Sequence, residues 1–314
     1  MQISNQEIVS SQPLPPKPSS EPAHLRMFFG HHKCASGWID NILREICLHM
    51  GIKFKIVHQP YSFDEYGTLG PLVKAEKIDF LAYINTNLAY MDDLPPHRGF
   101  HVVRDPRDIV VSAYFSHRNS LKAPTWSELG EIREKLQGMS KEEGLMFELE
   151  YLRDQFERMH AWDYEQPHVL ELQMERLSAE PLKVFIEIMD FLEMLGDEPQ
   201  SSVSRFATRM QMKMNRLNHR GRRLMPAGMP LFPVPRKRMA TTPPSMIAEI
   251  TEALSFKKLA GGRKKGQENT QSHYRKGVHG DWRNHFNEAH LAYFRANYND
   301  LVVKLGYEAH LDWE

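Results

Sequence analysis

Short apolar runs alternate with amphipathic stretches along this chain, and the alternation predicts an α/β fold. The runs with the length and composition of strands are Met27–Phe29, Lys53–His58, Phe80–Ile84, Phe100–Val103 and Val169–Leu172. Helical spacing of apolar residues fills several of the intervals between them. Because strands that alternate with helices assemble into parallel sheets, we predict a single domain with a central, mostly parallel β-sheet flanked by helices.

The amphipathic stretches predict the helices. The first follows a small-residue turn after Gly30 and has apolar residues at positions 39, 42, 43, 46 and 47, which share one helix face. The later ones are Lys141–Glu165, Leu182–Leu195 with Gly196 as its stop, Gln200–Asn215, Ser245–Lys258 and Asn287–Leu305.

One end of the chain and one internal segment differ in composition from the rest. Residues 1–23 are rich in Ser, Pro and Gln, so we predict a disordered tail before a domain over residues 24–314. Arg216–Pro244 has Pro and Gly without apolar periodicity, which predicts a long loop. Together with the cationic stretch further on, residues 216–270 form a predicted basic loop or lid region.

Charge and cysteine content narrow the class of protein. The 314 residues include 40 Lys and Arg and 40 Asp and Glu, so the formal net charge of zero does not favour a nucleic-acid partner. No apolar segment has membrane-spanning length and no N-terminal signal has a hydrophobic core, which favours a cytoplasmic protein without a membrane partner. The two cysteines fit a reducing compartment.

The turn after the first strand is the first candidate for chemistry. The start of a helix leaves backbone N–H groups without intrahelical partners, and its dipole favours an anion such as phosphate or sulfate. Lys33 adds a positive charge there and Ser36 adds a hydroxyl. A Walker P-loop has its lysine directly after the second glycine, whereas Lys33 precedes Gly37, which disfavours ordinary ATP hydrolysis. A turn with a solvated lysine would give the same pattern.

A second candidate segment, Arg104–His117, follows the fourth strand directly. Asp105 is placed as an N-cap with Pro106 as the first helical residue, so a helix is predicted to begin at the carboxyl end of that strand. Arg104 and Ser112 are then able to face one crevice. The alternative is that Arg104 pairs with Asp108 across the cap.

The third candidate segment is Tyr274–Phe286, near the end of the chain. Two adjacent cations, Arg275 and Lys276, precede Gly277 and Gly280, and glycines let a backbone approach an anion closely. A basic surface turn is the alternative.

Taken together, the three segments resemble one family. Lys33-Cys-Ala-Ser-Gly-Trp38 resembles the 5′-phosphosulfate loop of sulfotransferases that use 3′-phosphoadenosine-5′-phosphosulfate (PAPS). Arg104-Asp-Pro-Arg-Asp108 with Ser112 is similar to their 3′-phosphate motif, and Arg275–Trp282 to their C-terminal RKGxxGDW signature. The resemblance covers roughly residues 25 to 305 and implies the P-loop NTPase-like sulfotransferase architecture.

The resemblance also implies roles for single residues. Lys33 would contact the 5′-phosphosulfate in a loop completed by Cys34, Ala35, Ser36 and Gly37, and Trp38 would pack on the adenine. The residues implied at the 3′-phosphate are Arg104, Ser112, Arg275, Lys276 and Gly277. Arginine forks match paired phosphate oxygens. The implied reaction is in-line sulfuryl transfer from PAPS to an acceptor hydroxyl or amine, with 3′-phosphoadenosine-5′-phosphate (PAP) as product and without a metal.

Two departures from the family pattern concern the loop and the base. The second hydroxyl residue of the loop is replaced by Gly37. The catalytic histidine of the cytosolic members has Asn87 at its closest position, and an amide is not a useful base at neutral pH. We predict His58 as the base, because a histidine near its ordinary pKa accepts a proton readily. His32, Asp64 and Glu65 are the alternatives.

The sequence therefore predicts a PAPS-dependent sulfotransferase acting on a small molecule or a glycan. Arg216–Pro244 and Gln59–Leu72 are predicted to shape the acceptor pocket, and the sequence does not identify the acceptor or the oligomeric state. A P-loop-like kinase and a non-catalytic PAP-binding or scaffold protein are the alternative functions.

Overall fold

The computed structural model describes residues 25–58, 60–121, 126–221 and 241–313 of the chain. A five-stranded sheet lies at its centre, with strand order β2-β3-β1-β4-β5. Every pairing in it is parallel, as predicted. The strands are β1 Leu25–Gly30, β2 Phe54–Val57, β3 Phe80–Ile84, β4 His97–Val103 and β5 Val169–Gln173.

Helices connect the strands and cover the sheet. Those before β5 are α1 Ser36–Met50, α2 Leu69–Glu76, α3 Pro106–Phe115, α4 Leu129–Gly138, α5 Lys141–Tyr151 and α6 Arg153–Ala161. Those after it are α7 Met174–Ala179, α8 Pro181–Phe191, α9 Ser202–Gly221, α10 Pro244–Ala253, α11 Phe256–Leu259 and α12 Glu288–Lys304. Among the described residues, no helix has the length and apolar character needed to cross a membrane.

The two faces of the sheet carry separate parts of the core because side chains alternate along a strand. On one face Phe28 of β1 stacks on Phe100 of β4 with ring centroids 4.8 Å apart, beneath α1, α8 and α10. On the other face Phe29 packs against Trp162 at 5.0 Å. The five predicted apolar positions of α1 are all buried in the first of these layers.

Strand order places the carboxyl ends of β1 and β4 side by side. Gly30, the last residue of β1, is paired in register with Val102 of β4. The chain leaves β1 toward β2 on one side of the sheet, whereas β4 and β5 extend the other side. Ligands of open α/β sheets bind in the crevice at such a change of direction, and the turn after β1 and Arg104 after β4 both lie there.

Some predicted boundaries were wrong. α8 ends at Phe191 and not at Leu195, because Met194 and Gly196 instead form backbone hydrogen bonds with Thr242. α9 continues to Gly221, so the first six residues of the predicted loop Arg216–Pro244 are helical. Residues 222–240 of that loop, Gln59 of the other predicted pocket segment and the predicted N-terminal tail lie outside the described residues.

A buried carboxyl on α1 provides a stability prediction. Asp40 is 5% exposed and its Oδ1 lacks a hydrogen-bond partner, and burial raises the pKa of this carboxyl to about 7. Because the unfolded chain ionises Asp40 at lower pH, the folded state loses stability as the pH rises from about 4 to about 7. We expect Asp40→Asn to be more stable by about 2 kcal/mol at about pH 8 and by less at about pH 5. Urea unfolding at both pH values measures it, and an equal effect at both would contradict the assignment.

Candidate active site

The turn between β1 and α1 has an unusual backbone. Lys33 and Ala35 both adopt left-handed conformations, with φ of 66° and 62°. This conformation costs free energy for residues other than glycine, and residues in such conformations concentrate at functional sites. α1 begins directly at Ser36, so the turn delivers Lys33 to the amino end of a 15-residue helix. The predicted sequence of strand, loop and helix is confirmed.

Lys33 lies among other cations. Burial is the largest cause that lowers the pKa of its ammonium group to about 7, and the positive charges of Arg104 and then Arg275 lower it further. Glu148 opposes them by raising it. The first, second and third candidate segments of the sequence therefore meet around one lysine.

Arg104 connects the end of β4 to the turn. Its Nη1 donates to the backbone oxygen of Lys33 at 3.1 Å. The residue is 8% exposed, and its Nε has no hydrogen-bond partner. The predicted N-cap after it is confirmed, because Asp105 Oδ1 accepts from the backbone N–H of Arg107 at 2.9 Å. A buried guanidinium nitrogen without an acceptor is costly unless a ligand supplies one.

Asp108 attaches the third segment to α3. Burial raises the pKa of its carboxyl and the charge of Arg104 opposes that rise, but backbone donors occupy both carboxylate oxygens. Its two carboxylate oxygens accept the backbone N–H groups of Gly280, at 2.6 Å, and Trp282, at 3.0 Å. The guanidinium of Arg275 lies over the ring of Phe115 at 4.7 Å. Phe115 is three residues after Ser112 on α3, so the two share a helix face, and Arg275 contacts α3 at Phe115 on that face.

The cations of the third segment are held by nearby acids. Arg275 Nη2 is 2.6 Å from Asp281 Oδ2 and also pairs with Glu268, and Lys276 Nζ is 2.5 Å from Asp281 Oδ1. These donors lower the pKa of Asp281 well below its usual range, although burial, the largest single effect, opposes them. Gly277 has φ of 69°, and a Cβ there would lie 2.7 Å from the ring of Phe256. Only glycine fits at this bend without displacement of the ring.

The remaining residues of the predicted phosphosulfate loop have definite environments. Ser36 Oγ donates to the backbone oxygen of His31 at 2.9 Å, and a Cβ added at Gly37 would meet no atom within 4 Å. Trp38 is partly buried and donates from Nε1 to Leu254 O at 2.9 Å. Cys34 is fully buried, and burial raises the pKa of its thiol, so its role is to fill a tight turn.

The candidate bases predicted from sequence differ in burial. His58 follows β2, is exposed, and its backbone oxygen accepts from Asn85 Nδ2 at 3.2 Å. Burial of part of the ring lowers the pKa of His58. Asp64 and Glu65 are exposed in a short 3-10 turn. Asn87 caps another 3-10 turn, with Oδ1 accepting the N–H of Ala89 at 3.1 Å.

Two histidine chains run from the turn into the protein, and they were not predicted from the sequence. His32 Nε2 is 2.8 Å from His117 Nε2, and His117 Nδ1 is 2.8 Å from Glu148 Oε1. We call these three residues the His32 chain.

The second chain, which we call the His31 chain, has the same order of groups. His31 Nε2 is 2.8 Å from His101 Nε2, and His101 Nδ1 is 2.7 Å from Glu171 Oε2. The adjacent histidines of the turn were the one sequence signal for both chains. His117, Glu148, His101 and Glu171 are 31 to 85 residues from their partners, so no local pattern connects them.

Another histidine, which was not predicted from the sequence, lies close to Lys33. Burial lowers the pKa of His273, and the charge of Lys33 lowers it further. His32, in turn, has its pKa lowered well below 6.5, first by burial and then by His117, Lys33, His273 and His58. At neutral pH these rings are uncharged, so the positive charge around the turn comes from lysine and arginine.

The structure thus brings together Lys33, Arg104 and Arg275, with Ser112, Lys276 and Gly277 on the adjoining elements. Clustered cations with one unpaired buried nitrogen suit a ligand that carries more than one negative charge. The donor set fits phosphate and sulfate groups, since arginine and lysine nitrogens and the N–H groups at a helix start are their usual partners.

Comparison with known proteins identifies a domain. The family model of the sulfotransferase domain matches residues 98–225, a segment that includes the Arg104 motif but neither the Lys33 turn nor the Arg275 motif. Within that segment the sulfotransferase resemblance predicted from the motifs is confirmed. No curated protein matches the sequence.

Two solved structures are similar over most of their length. Mouse sulfotransferase SULT7A1 complexed with PAP shares 13% identity, with a TM-score of 0.45 over 93% of this chain and 91% of that chain. Retinol dehydratase in complex with androsterone and the inactive cofactor PAP shares 14% identity, with a TM-score of 0.42 over 88% of this chain and 80% of that chain.

Proposed function

Because residues 98–225 carry a sulfotransferase domain, we propose that this protein transfers a sulfuryl group from PAPS to a hydroxyl or amine of a small molecule or glycan. PAPS is the donor substrate and PAP is the product. The sulfuryl group of PAPS is activated because it is bonded to a phosphate, which is a good leaving group. The protein supplies positioning and positive charge, which are the main needs of such a transfer.

The observation that carries the proposal is the meeting of three cations from separate segments. Lys33 has two guanidinium groups close enough to lower its pKa to about 7 together with burial. Like charges packed in this way repel one another in the free protein. A nucleotide with phosphate groups at both ends would remove the repulsion and supply acceptors, including one for Arg104 Nε.

We assign the binding roles of the residues from their positions in the site. Lys33 and the start of α1 would hold the 5′-phosphosulfate and stabilise the charge that develops on the leaving phosphate. Arg104, Ser112, Arg275, Lys276 and Gly277 would hold the 3′-phosphate. Glu268 is the more exposed of the two acids on Arg275, so it is the partner that a phosphate can replace. Trp38 is fixed through Leu254 and would offer its ring to the adenine.

The experiment for this function measures donor binding and transfer separately. The purified protein is incubated with PAPS carrying labelled sulfur and with extracts of small molecules and of glycans, and mass spectrometry identifies what gains a sulfate. Isothermal titration with PAP gives the affinity in parallel. Binding of PAP without transfer to any hydroxyl or amine would support a non-catalytic PAP-binding protein. Binding of ATP with Mg²⁺ but not of PAP would support a kinase.

Proton uptake on PAP binding is a specific prediction of the Lys33 environment. The ammonium group has a pKa of about 7 in the free protein, and an adjacent polyanion raises it. We expect PAP binding to take up close to one proton at about pH 8 and little at about pH 6. Titration calorimetry in buffers with different ionisation heats measures the uptake.

The Lys33→Met variant is the control for this uptake, because His32, His58 and His273 also lie near the site. If the uptake at the higher pH persists in the variant, Lys33 is not the group that is protonated.

A further inference from the structure

The His32 chain defines which nitrogen of His32 is able to accept a proton. His117 and Glu148 are both 0% exposed. An ionised carboxylate only accepts hydrogen bonds, so His117 Nδ1 must be the protonated nitrogen that donates to Glu148. His117 Nε2 then carries the lone pair, and it accepts from the Nε2–H of His32. Nδ1 of His32 is therefore the unprotonated nitrogen.

The rings are also held in place. His32 and His117 stack with an interplanar angle of 18° and centroids 5.0 Å apart, and Trp126 meets both rings edge-on. Gln155 Nε2 donates to the backbone oxygen of His32 at 3.0 Å. After burial and His117, the charges of Lys33, His273 and His58 lower the pKa of His32, so its ring lies close to the lysine proposed to bind PAPS.

We propose that His32 is the general base of sulfuryl transfer, with Nδ1 as the accepting atom, and that His117 and Glu148 are positioning residues that fix its tautomer. This inference rests on the proposed function. It assigns the base to the turn that carries Lys33 and not to His58, which was predicted from sequence.

Sulfuryl transfer forms one bond to sulfur, breaks another and moves one proton. The acceptor oxygen forms a bond to sulfur while the bond between sulfur and the bridging oxygen of the 5′-phosphate breaks, and PAP leaves with that electron pair. The acceptor proton moves to His32 Nδ1. The ring is then a cation that still donates through Nε2–H to His117, whose Nδ1–H donates to the Glu148 carboxylate. The buried carboxylate offsets the new charge through the chain.

The His31 chain shows why the adjacent histidine is a poor candidate. His31 is 1% exposed, so a substrate cannot reach its ring. The chain continues inward, where Glu171 Oε1 accepts from Trp162 Nε1 at 2.7 Å. It provides a matched control, because Glu171→Gln and Glu148→Gln are the same substitution next to the same kind of histidine pair.

Nitrogen-15 NMR of the imidazole rings tests the tautomer without any acceptor. We expect His32 at neutral pH to have Nε2 protonated and Nδ1 bare, with the His32→Gln variant giving the assignment. We expect Glu148→Gln to change the His117 and His32 signals and Glu171→Gln to leave them unchanged. The opposite tautomer of His32 would overturn the inference, whatever the reaction of the protein.

Kinetics with two aryl probes test the role of the base. Phenol is protonated at neutral pH and needs a base to accept a sulfuryl group from PAPS. The reverse reaction, from p-nitrophenyl sulfate to PAP, releases an ionised phenolate and needs no proton transfer. We expect His32→Gln to lower kcat with phenol by about 10²-fold and to leave the reverse exchange within a few-fold of the parent. Glu148→Gln is expected to lower kcat with phenol with little change in KM.

The outcomes separate the inference from the function on which it rests. A parent protein that neither binds PAP nor transfers labelled sulfur from PAPS to any acceptor would remove the proposed function, whereas the tautomer measurement would still decide the His32 chain. Equal losses in both reactions would give His32 a structural role and overturn the inference. A loss confined to phenol in His58→Ala, with His32→Gln active, would assign the base to His58 instead.

Discussion

Replacing Lys33 by alanine is expected to lower kcat for sulfuryl transfer from PAPS by about 10³-fold, because the variant loses the positive charge next to the leaving phosphate. The affinity for PAP should fall less. In the free protein the lysine is repelled by Arg104 and Arg275. Its removal therefore ends this repulsion at the same time as it deletes a favourable contact with PAP. The variant should therefore unfold at a higher temperature than the parent when no nucleotide is present. Single-turnover kinetics and thermal unfolding measure the two effects.

Lys55→Ala is the matched control for Lys33→Ala. Lys55 lies on β2 and its Nζ is 2.6 Å from Glu76 Oε1, so its removal deletes a lysine charge from a half-buried ion pair outside the candidate site. We expect some stability to be lost with that pair, but transfer and PAP binding to stay as in the parent. A Lys33→Ala protein that turns over PAPS at the parental rate would remove Lys33 from the catalytic step.

The sequence predicts the sheet well because its strands are buried. Phe80–Ile84 was predicted with the same bounds as β3, because a short continuous apolar run between polar turns is typical of a buried strand. α9 was predicted too short. Its last turns include Arg216, which forms two ion pairs. Nε is 2.7 Å from Glu45 Oε2 and Nη1 is 3.3 Å from Glu249 Oε1. Tertiary ion pairs of this kind leave no apolar period in the sequence.

The candidate site was predicted in part. The motifs named the cations, and the strand order explains why two of their segments meet. Glu148 shows what was missed: Lys141–Glu165 was read as a helix with a charged surface, yet this one carboxylate is buried and reaches His117. Its local sequence does not distinguish it from Glu150, which is exposed. Only the packing of α5 against the turn after α3 gives Glu148 its partner.

Asp108→Asn is expected to weaken PAP binding by about 10²-fold through loss of the third segment from its position on α3. The carboxylate accepts two backbone N–H groups, from Gly280 and Trp282, and an amide presents one oxygen and one N–H₂ group in its place. One backbone donor would then face another donor, which costs about 1–3 kcal/mol when buried. Arg275 and Lys276 precede that point in the same segment, so their positions loosen with it.

Asp79→Asn separates this effect from a general loss of stability. Asp79 Oδ2 accepts the backbone N–H of Lys53 at 2.6 Å, at the amino ends of β2 and β3 and therefore at the sheet edge opposite Lys33. Both variants should unfold at lower temperature, but only Asp108→Asn should lose affinity for PAP in titration calorimetry. If Asp108→Asn binds PAP as the parent does, the third segment is not part of the nucleotide site. The site would then rest on Lys33 and Arg104 alone, and the 3′-phosphate would need another partner.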